Sequence, residues 1–307
     1  MKYEVRMAPR KVTVATRRSS LALAQSRAWI ACLRKLHPKL DVEELHVTTT
    51  GDRVQDRALS EIGGKGLFIK EIEQALIENR AQIAVHSMKD VPAELMPGLM
   101  LGCVPAREDA RDAVVTRTGQ PLARLPAGSR VGTTSLRRSV QLGAWRPDLV
   151  FVPLRGNVDT RLRRCAEGAV DAVVLALAGL VRLDRAQEAT EILESEVCLP
   201  AAGQGALGIE VRVDDDATQS LLTPLHDAAT GLAVAAERGV MHAVGGSCQL
   251  PLAAHAVQAG AALQLTALLA EPDGTRIRRR VSRTTWPRDE REAWEIGSSL
   301  GRELREA

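Results

Sequence analysis

Basic and hydroxyl-bearing side chains recur in short clusters along this chain, each just after a segment predicted to be a strand. Arg17-Arg18-Ser19 follows the first of these segments, and residues 86–90 (HSMKD) and 133–138 (TTSLRR) follow two later ones. Residues 155–157 (RGN) follow another, with Arg161 one helical turn further on. Ligands of open α/β sheets bind at the carboxyl ends of strands, where helix N-termini favour anions. The clusters therefore predict an anion site, although any one of them alone also fits solvated surface charge.

Arginine far outnumbers lysine, with 34 against 7 in 307 residues, while the net charge is only +3. The planar guanidinium grips carboxylate or phosphate through two hydrogen bonds, so a ligand with several acid groups is favoured. A GC-rich genome would produce the same excess of arginine. Aromatic residues make up only 2% of the chain, which leaves few platforms for stacking bases and disfavours a single-strand nucleic-acid binder.

Lys89-Asp90, inside the second cluster, has two interpretations. Adjacent opposite charges are often a solvated surface pair. Alternatively, Asp90 is a carboxylate that faces a cation developing during a reaction, kept ionised by nearby positive charge. Residues 63–66 (GGKG) predict a loop before a helix, but they lack the complete GxxxxGK[ST] pattern of a nucleotide-binding loop.

Cys248 stands in residues 245–251 (GGSCQLP), where two glycines and a proline predict a constrained loop. A lone cysteine is most often a small buried hydrophobic side chain, whereas a cysteine exposed on a loop can react covalently. The five cysteines contain no CxxC pair, and the six histidines contain no HExxH pattern. We therefore expect no metal site and a reducing compartment.

The elements that must position these residues alternate between strand and helix over the first two-thirds of the chain, which is typical of α/β lobes. A helix is predicted from Ser19 or Ser20 to about Leu36, ended by His37-Pro38. Phe68, Ile72, Ala75 and Leu76 share one face of a second helix. Strands are predicted at 11–16, 42–50, 82–86, 99–104, 113–116, 130–132, 150–154 and 170–175.

The pattern changes past about residue 226. A helix is predicted over 230–243, a hairpin around Pro272-Asp273-Gly274, and an amphipathic helix over 288–304. These segments predict a small α+β domain. The turn-rich residues 105–111 and the region around Pro200 are candidate crossovers between two α/β lobes, which would let the lobes hinge around a cleft.

Targeting signals are not evident. The longest apolar run, residues 172–181, has ten residues, whereas a membrane-spanning helix needs about 20. The first twenty residues contain no apolar stretch followed by a small-residue cleavage site, so we expect a cytoplasmic protein with no membrane partner.

The residues described above make the chain closely resemble the porphobilinogen deaminase family. The matching segments cover nearly the whole chain and follow one another in the same order as in the family. Three motifs taken together, HSMKDVP, RGNV and GGSCQ, make the resemblance specific. The matching segments are ATRRSSLALAQ (15–25), GGKGLF (63–68), AVHSMKDVP (84–92), GTTSLRR (132–138), LRGNVDTRL (154–162), LALAGLVRL (175–183), PAAGQGALGIE (200–210) and GGSCQLPL (245–252).

The resemblance implies an α/β fold of two lobes like those of periplasmic binding proteins, plus a small C-terminal α+β domain that carries the reactive cysteine. The implied domains are residues 1–105 with 200–225, residues 106–199, and residues 226–307. The implied activity joins four porphobilinogen molecules head to tail into hydroxymethylbilane, with release of ammonia. The implied cofactor is dipyrromethane, held by a thioether to Cys248. A monomer that passes its product to the next enzyme is expected.

The resemblance also implies roles for individual residues. The catalytic carboxylate is Asp90. The implied cofactor-binding residues are Lys89, Asp90, Ser135, Arg137, Arg138 and Arg161, and the implied substrate-binding residues are Arg17, Ser19, Arg155, Arg161 and Arg182. Thr50 and Glu61 depart from the commoner family pattern, which leaves open how the loop 53–66 closes.

Two other classes of function remain open on the residues alone. Hinged α/β lobes also serve as receptors for small anions, although the added third domain with Cys248 counts against that interpretation. Arg276 and residues 278–280 (RRR) suggest a basic nucleic-acid binder, but alternation along a strand points these side chains to opposite faces of a solvated hairpin.

Overall fold

A computed structural model describes residues 11–53, 69–245 and 250–306, which contain three β-sheets. The strands in chain order are β1 (Lys11–Arg17), β2 (Asp41–Val47), β3 (Ile83–Ser87), β4 (Leu99–Cys103), β5 (Asp112–Thr116), β6 (Arg130–Gly132), β7 (Val150–Val152), β8 (Ala172–Ala176), β9 (Glu191–Leu193), β10 (Leu207–Arg212), β11 (Leu252–Ala259), β12 (Ala262–Leu269) and β13 (Arg278–Thr285). The α-helices are α1 (Ser20–Leu36), α2 (Thr50–Arg53), α3 (Lys70–Ile77), α4 (Leu136–Trp145), α5 (Val158–Ala166), α6 (Leu177–Arg182), α7 (Asp216–Leu222), α8 (Ala228–Val244) and α9 (Glu290–Glu306).

The first sheet has the order β2-β1-β3-β10-β4, and we call it and the helices packed on it lobe 1. β1 runs parallel to β2 and β3, while β10 runs antiparallel to both of its neighbours. Trp29 and Leu33 of α1 pack on one face of this sheet. Ile72 and Leu76 of α3 pack on the other face and, like Ala75, are fully buried, which confirms these three residues of the predicted helix face; Phe68, its fourth residue, lies outside the described ranges.

The second sheet has the order β7-β6-β8-β5-β9, and we call it and its helices lobe 2. Its fourth strand, β5, runs antiparallel to both of its neighbours, just as β10 does in lobe 1. The chain leaves lobe 1 after β4, builds lobe 2, and returns as β10. Residues 104–111 and 194–206 are the two crossover segments, and they lie side by side: Glu108 donates its backbone N–H to Gly205 O at 3.2 Å.

The third sheet is the antiparallel meander β11-β12-β13. Helices α8 and α9 pack against it and against each other. Their backbones approach closely at glycines, because a Cβ on Gly239 would lie 2.3 Å from Trp294 O. The predicted fold class, two α/β lobes plus a small α+β domain, is confirmed by these three sheets.

Local signals set several element boundaries as predicted. Ser19 caps α1 by accepting a hydrogen bond from Ala22 N at 3.3 Å, and the helix ends at Leu36, immediately before His37-Pro38. Other predicted boundaries are wrong. The strand predicted over 42–50 ends at Val47, and α2 occupies residues 50–53 instead. The strand predicted over 150–154 ends at Val152.

The apolar run 172–181 divides into β8 and α6 rather than forming one helix. Across the described ranges, no helix combines the length and apolar character that a membrane span requires.

Candidate active site

Side chains that follow strands of the two lobes lie close enough to interact, because Lys89, after β3, is affected by the charges of Arg137 and Arg138, after β6. Arg17 ends β1, and β3 ends at Ser87, directly before a 3-10 turn formed by Met88–Asp90. The lobes touch nearby, where Ser20 Oγ donates to Asp159 Oδ2 at 3.0 Å. The clusters of the two lobes therefore share one region, which we call the cleft.

Asp90 is half-buried in the turn after β3. Together with Arg17, Ser87, His86 and Ile69 it lines a small pocket. Within the described residues its carboxylate forms no hydrogen bond and no ion pair closer than 4 Å, so both oxygens remain available to a ligand.

Lys89 links the two lobes electrostatically. Burial, and next the positive charge of Arg138 on α4, lower the pKa of the Lys89 ammonium to about 8, while Asp90 and Asp112 act in the opposite direction. At neutral pH Lys89 is therefore still mainly protonated. Its buried charge lowers the stability of the folded chain unless a bound anion compensates for it.

Arg137 and Arg138, near the start of α4, are each only 5% exposed. Both bind one carboxylate, that of Asp112, through Arg137 Nη1 at 2.7 Å and Arg138 Nη2 at 2.7 Å. Burial acts to raise the pKa of Asp112, but the charges of the two guanidiniums outweigh it and hold this pKa well below its usual range. The two guanidiniums therefore favour the ionised form of Asp112.

Arg155 and Arg161 lie after the end of β7 and on α5, respectively. Arg161 Nε donates to Gly156 O at 2.9 Å. Burial, followed by the positive charges of Arg138 and Arg155, lowers the pKa of Arg161 to about 10. Because the charge of Arg138 lowers the pKa of both Lys89 and Arg161, these basic groups share one positive region, which suits a polyanion.

Arg182 ends α6 and reaches the return crossover, where its Nη2 donates to Gly205 O at 2.6 Å. Burial lowers its pKa, with the charge of Glu108 acting in the opposite direction. It is half-buried, like Arg155 and Arg161.

The two serines predicted for the site differ in what their hydroxyls do. Ser19 Oγ is used as the cap of α1. Ser135 occupies the corresponding position before α4, but its hydroxyl makes no capping bond. The Ser135 side chain is therefore free to hydrogen-bond a ligand at the start of this helix.

This donor set fits a primer that carries carboxylates. Guanidinium, ammonium and hydroxyl donors come from both lobes, and the Asp90 carboxylate, next to Lys89 and in one pocket with Arg17, has no hydrogen-bond partner in the described residues. Hydrogen bonds from such donors suit acetate and propionate groups, and a lone carboxylate suits pyrrole N–H groups.

Some predicted residues lie outside the described ranges. These are Cys248, Glu61 and the glycines of 63–66. The described chain approaches the cysteine from the end of α8, where Gly245 adopts a left-handed φ of +69° and ends the helix. Thr50, the other departure from the family pattern, donates its backbone N–H and its hydroxyl to Glu71 Oε1 at 2.8 and 2.6 Å and so ties α2 to α3.

Two features of the site are missed by sequence reasoning. Asp112 is one, because 25 residues separate it from Arg137 and no spacing rule connects them. The other is a buried pair in which His86 Nε2 lies 2.9 Å from Glu210 Oε2. His86 belongs to one of the predicted clusters, but its partner on β10 depends on the return of the chain to lobe 1.

Comparison with known proteins agrees with this geometry. The family model described as "Porphobilinogen deaminase, dipyromethane cofactor binding domain" matches residues 12–220, and "Porphobilinogen deaminase, C-terminal domain" matches residues 231–306. Porphobilinogen deaminase from Sorangium cellulosum is 61% identical over 297 residues, which cover 97% of this chain and 99% of the relative. The enzyme from Ralstonia nicotianae is 50% identical and covers 97% of this chain and 89% of its own.

Solved structures with similar coordinates include the periplasmic VFT2 domain of Bordetella pertussis BvgS, with 16% identity, a TM-score of 0.41, and coverage of 69% of this chain and 85% of that one. The assignment does not depend on this distant similarity. It depends on the two family models and on relatives that match almost end to end. The chain belongs to the porphobilinogen deaminase family, the transferases of tetrapyrrole and haem biosynthesis that polymerise four porphobilinogens into hydroxymethylbilane on a dipyrromethane primer attached to a cysteine.

Proposed function

We propose that Asp90 and the basic groups around it are the centre at which this chain performs the family's condensation, with Cys248 as the attachment point of the primer. The observation that carries this proposal is the half-buried Asp90 carboxylate, which has no hydrogen-bond partner among the described residues, lines a small pocket with Arg17, and follows Lys89, whose charge interacts with Arg138 of lobe 2.

Each condensation needs a carboxylate beside the pyrrole N–H of the reacting ring. Loss of ammonia from the aminomethyl group of porphobilinogen leaves a cation that is delocalised onto the pyrrole N–H. Asp90 stabilises that N–H, and it takes up the proton that leaves the attacking carbon when the new C–C bond forms. The proton then passes to the released ammonia, so that charge and atoms balance over the cycle.

The dipyrromethane supplies, when bound, a terminal pyrrole with a free α-carbon as nucleophile, and its thioether resists the hydrolysis that frees the product. Lys89, Ser135, Arg137, Arg138 and Arg161 hold the carboxylates of the primer. Arg17, Ser19, Arg155, Arg161 and Arg182 hold those of the incoming substrate. The positive region described above supports these roles, because each porphobilinogen adds an acetate and a propionate to be bound.

The test compares Asp90→Ala with Asp90→Asn. Both should keep the thermal midpoint within a few degrees of the parent chain, because the Asp90 carboxylate makes no hydrogen bond or ion pair with the described residues and only its weak attraction for Lys89 is lost. Both should lose nearly all turnover, measured as porphobilinogen consumed. Near-normal rates in either variant would remove Asp90 from the mechanism.

Cys248 is tested separately by intact mass. The purified parent chain should carry an addition of two pyrrole units, and Cys248→Ala should carry none. A Cys248→Ala protein that makes bilane at the parent rate would contradict the attachment.

We also propose that the protein is a cytoplasmic monomer that hands its product to the next enzyme of the pathway. The domain limits proposed above, 1–105 with 200–225, 106–199 and 226–307, are supported by the separation of the three sheets. Light scattering after size exclusion tests the monomer, and limited proteolysis at the crossovers tests the limits.

A further inference from the structure

We infer that Asp112 is a positioning residue: its carboxylate fixes the direction of the Arg137 and Arg138 guanidiniums and ties both to the crossover segments between the lobes. The inference rests on the proposed function, in which these two arginines bind carboxylates of the primer. Asp112 itself is buried beneath them, with 0% exposure, and is not proposed to touch the substrate.

The contacts of Asp112 fill both of its oxygens. Oδ2 accepts from Arg137 Nη1 at 2.7 Å and from Cys198 Sγ at 3.3 Å. Oδ1 accepts from Arg138 Nη2 at 2.7 Å, from Arg138 Nε at 3.2 Å and from Gln204 Nε2 at 2.9 Å. A carboxylate with this many donors has one orientation, and it imposes that orientation on its partners.

The guanidiniums need such an anchor. Two positive charges on adjacent residues repel each other in a buried place, and a free arginine side chain has about 2 kcal/mol of rotamer entropy to lose. One carboxylate between them removes most of the repulsion. Backbone acceptors complete the fixation, since Arg137 Nη1 also donates to Leu199 O at 2.7 Å and Arg138 Nη1 to Val174 O at 2.9 Å.

Donors are left over for a ligand. Arg138 has five N–H groups, and the contacts above use one each on Nε, Nη1 and Nη2. The second N–H on Nη1 and on Nη2 finds no acceptor among the described residues. The charge of Arg138 also reaches the cleft, because it is among the causes that lower the pKa values of Lys89 and Arg161.

Asp112 stands where both crossovers meet. It opens β5, directly after the outgoing segment, and Gln204 belongs to the returning segment. Gln204 Nε2 also donates to Ala110 O at 2.6 Å, and Gln204 O accepts from Arg107 Nε at 2.7 Å. The same carboxylate therefore holds the primer-binding arginines in a fixed position relative to the two crossover segments.

Asp112→Glu is the decisive variant, because it retains the charge but moves the carboxylate by one methylene. We expect this protein to fold and yet to load dipyrromethane poorly, seen as a reduced fraction with the added mass. The loaded fraction should show kcat/KM lowered by up to about 100-fold, the loss that a misplacement of about 1 Å can cause. Asp112→Asn, which removes the charge, should be at least as impaired.

The matched control is Asp215→Asn. Asp215 also holds an arginine, with Arg212 Nη2 at 2.9 Å, but it follows β10, whose end lies beside the start of β3, away from the site at the other end of that strand. This variant should remain within about twofold of the parent chain in loading and in kcat/KM. Full loading and parent kcat/KM in Asp112→Glu would show that Asp112 only neutralises charge, and the inference would be overturned.

Failure of the inference is distinguishable from failure of the proposed function. If Arg137→Leu and Arg138→Leu load normally, the proposed carboxylate binding fails. If those two are impaired while Asp112→Glu is not, only the positioning role fails. Should both Asp112 variants fail to fold, Gln204→Met leaves both ion pairs in place and should lower kcat/KM about tenfold; parent values in that protein would overturn the inference.

Discussion

Lys89 should make the primer-free protein less stable at neutral pH than it would be with an apolar residue in its place. The perturbation is Lys89→Met, made in a Cys248→Ala background so that no primer attaches. The reason is that a half-buried ammonium beside Arg138 is held protonated at pH 7 although its pKa has fallen from 10.5 to about 8. Methionine fills similar volume without the charge.

The size of the effect follows from that pKa. Each unit between the pKa of Lys89 in the unfolded chain and its pKa in the folded chain corresponds to about 1.36 kcal/mol of unfolding free energy, so the full effect is about 3 kcal/mol. Because water still reaches part of the side chain, we expect about 1–2 kcal/mol of added unfolding free energy in Lys89→Met at pH 7.

The direction in which the stability difference changes with pH follows from when Lys89 loses its proton in the folded and in the unfolded chain. Below pH 8 both the folded and the unfolded chain carry the proton, so the destabilisation by Lys89 is fully present. Between pH 8 and 10.5 the folded chain loses the proton first, and the destabilisation fades. Above 10.5 the lysine is neutral in both states, and the Lys89→Met variant should differ from its parent only through packing.

Urea unfolding of both proteins at about pH 7 and about pH 10 measures the effect. The matched control is Lys39→Met, which removes the same charge from an exposed position and should change stability by less than about 0.5 kcal/mol at either pH. A Lys89→Met protein that is less stable than its parent at neutral pH, or a difference in stability that does not shrink at the alkaline pH, would contradict the cost assigned to the buried ammonium.

Further predictions concern single residues. Arg155→Ala should stall elongation, seen by mass spectrometry as accumulated enzyme–intermediate complexes, and release of tetrapyrrole at the parent rate would contradict its role. Ser19→Ala should lower unfolding free energy by about 1 kcal/mol through loss of the α1 cap, whereas Ser135→Ala should leave stability within about 0.5 kcal/mol and reduce primer loading. Gly239→Ala should destabilise the C-terminal domain by about 3 kcal/mol or more, because the new Cβ would lie 2.3 Å from Trp294 O. An unchanged thermal midpoint would contradict this prediction, since it would mean that α8 and α9 can move apart at no cost in stability.

Sequence patterns predict well wherever the cause is local. The cap at Ser19, the stop at His37-Pro38 and the buried face of α3 depend on residues within a turn or two. The hairpin around residues 272–274 is of the same kind: Gly274 has a φ of +85° and β12 pairs with β13. The strand predicted over 42–50 extends too far because β-branched Val47 and the three threonines at 48–50 suit a strand, while the contact from Thr50 to Glu71 favours a helical turn.

Residue types and local patterns were enough to bring the basic side chains to the ends of strands, and the motifs among them identified the family. Which of these side chains are neutralised, which have donors left for a ligand, and that Asp112 holds two of them depend on tertiary packing. Asp112 meets Arg137 and Gln204 across 25 and 92 residues because the chain crosses between lobes twice. No local propensity encodes that meeting: it arises when β5 and β10 enter their sheets antiparallel and bring both crossovers to one buried carboxylate.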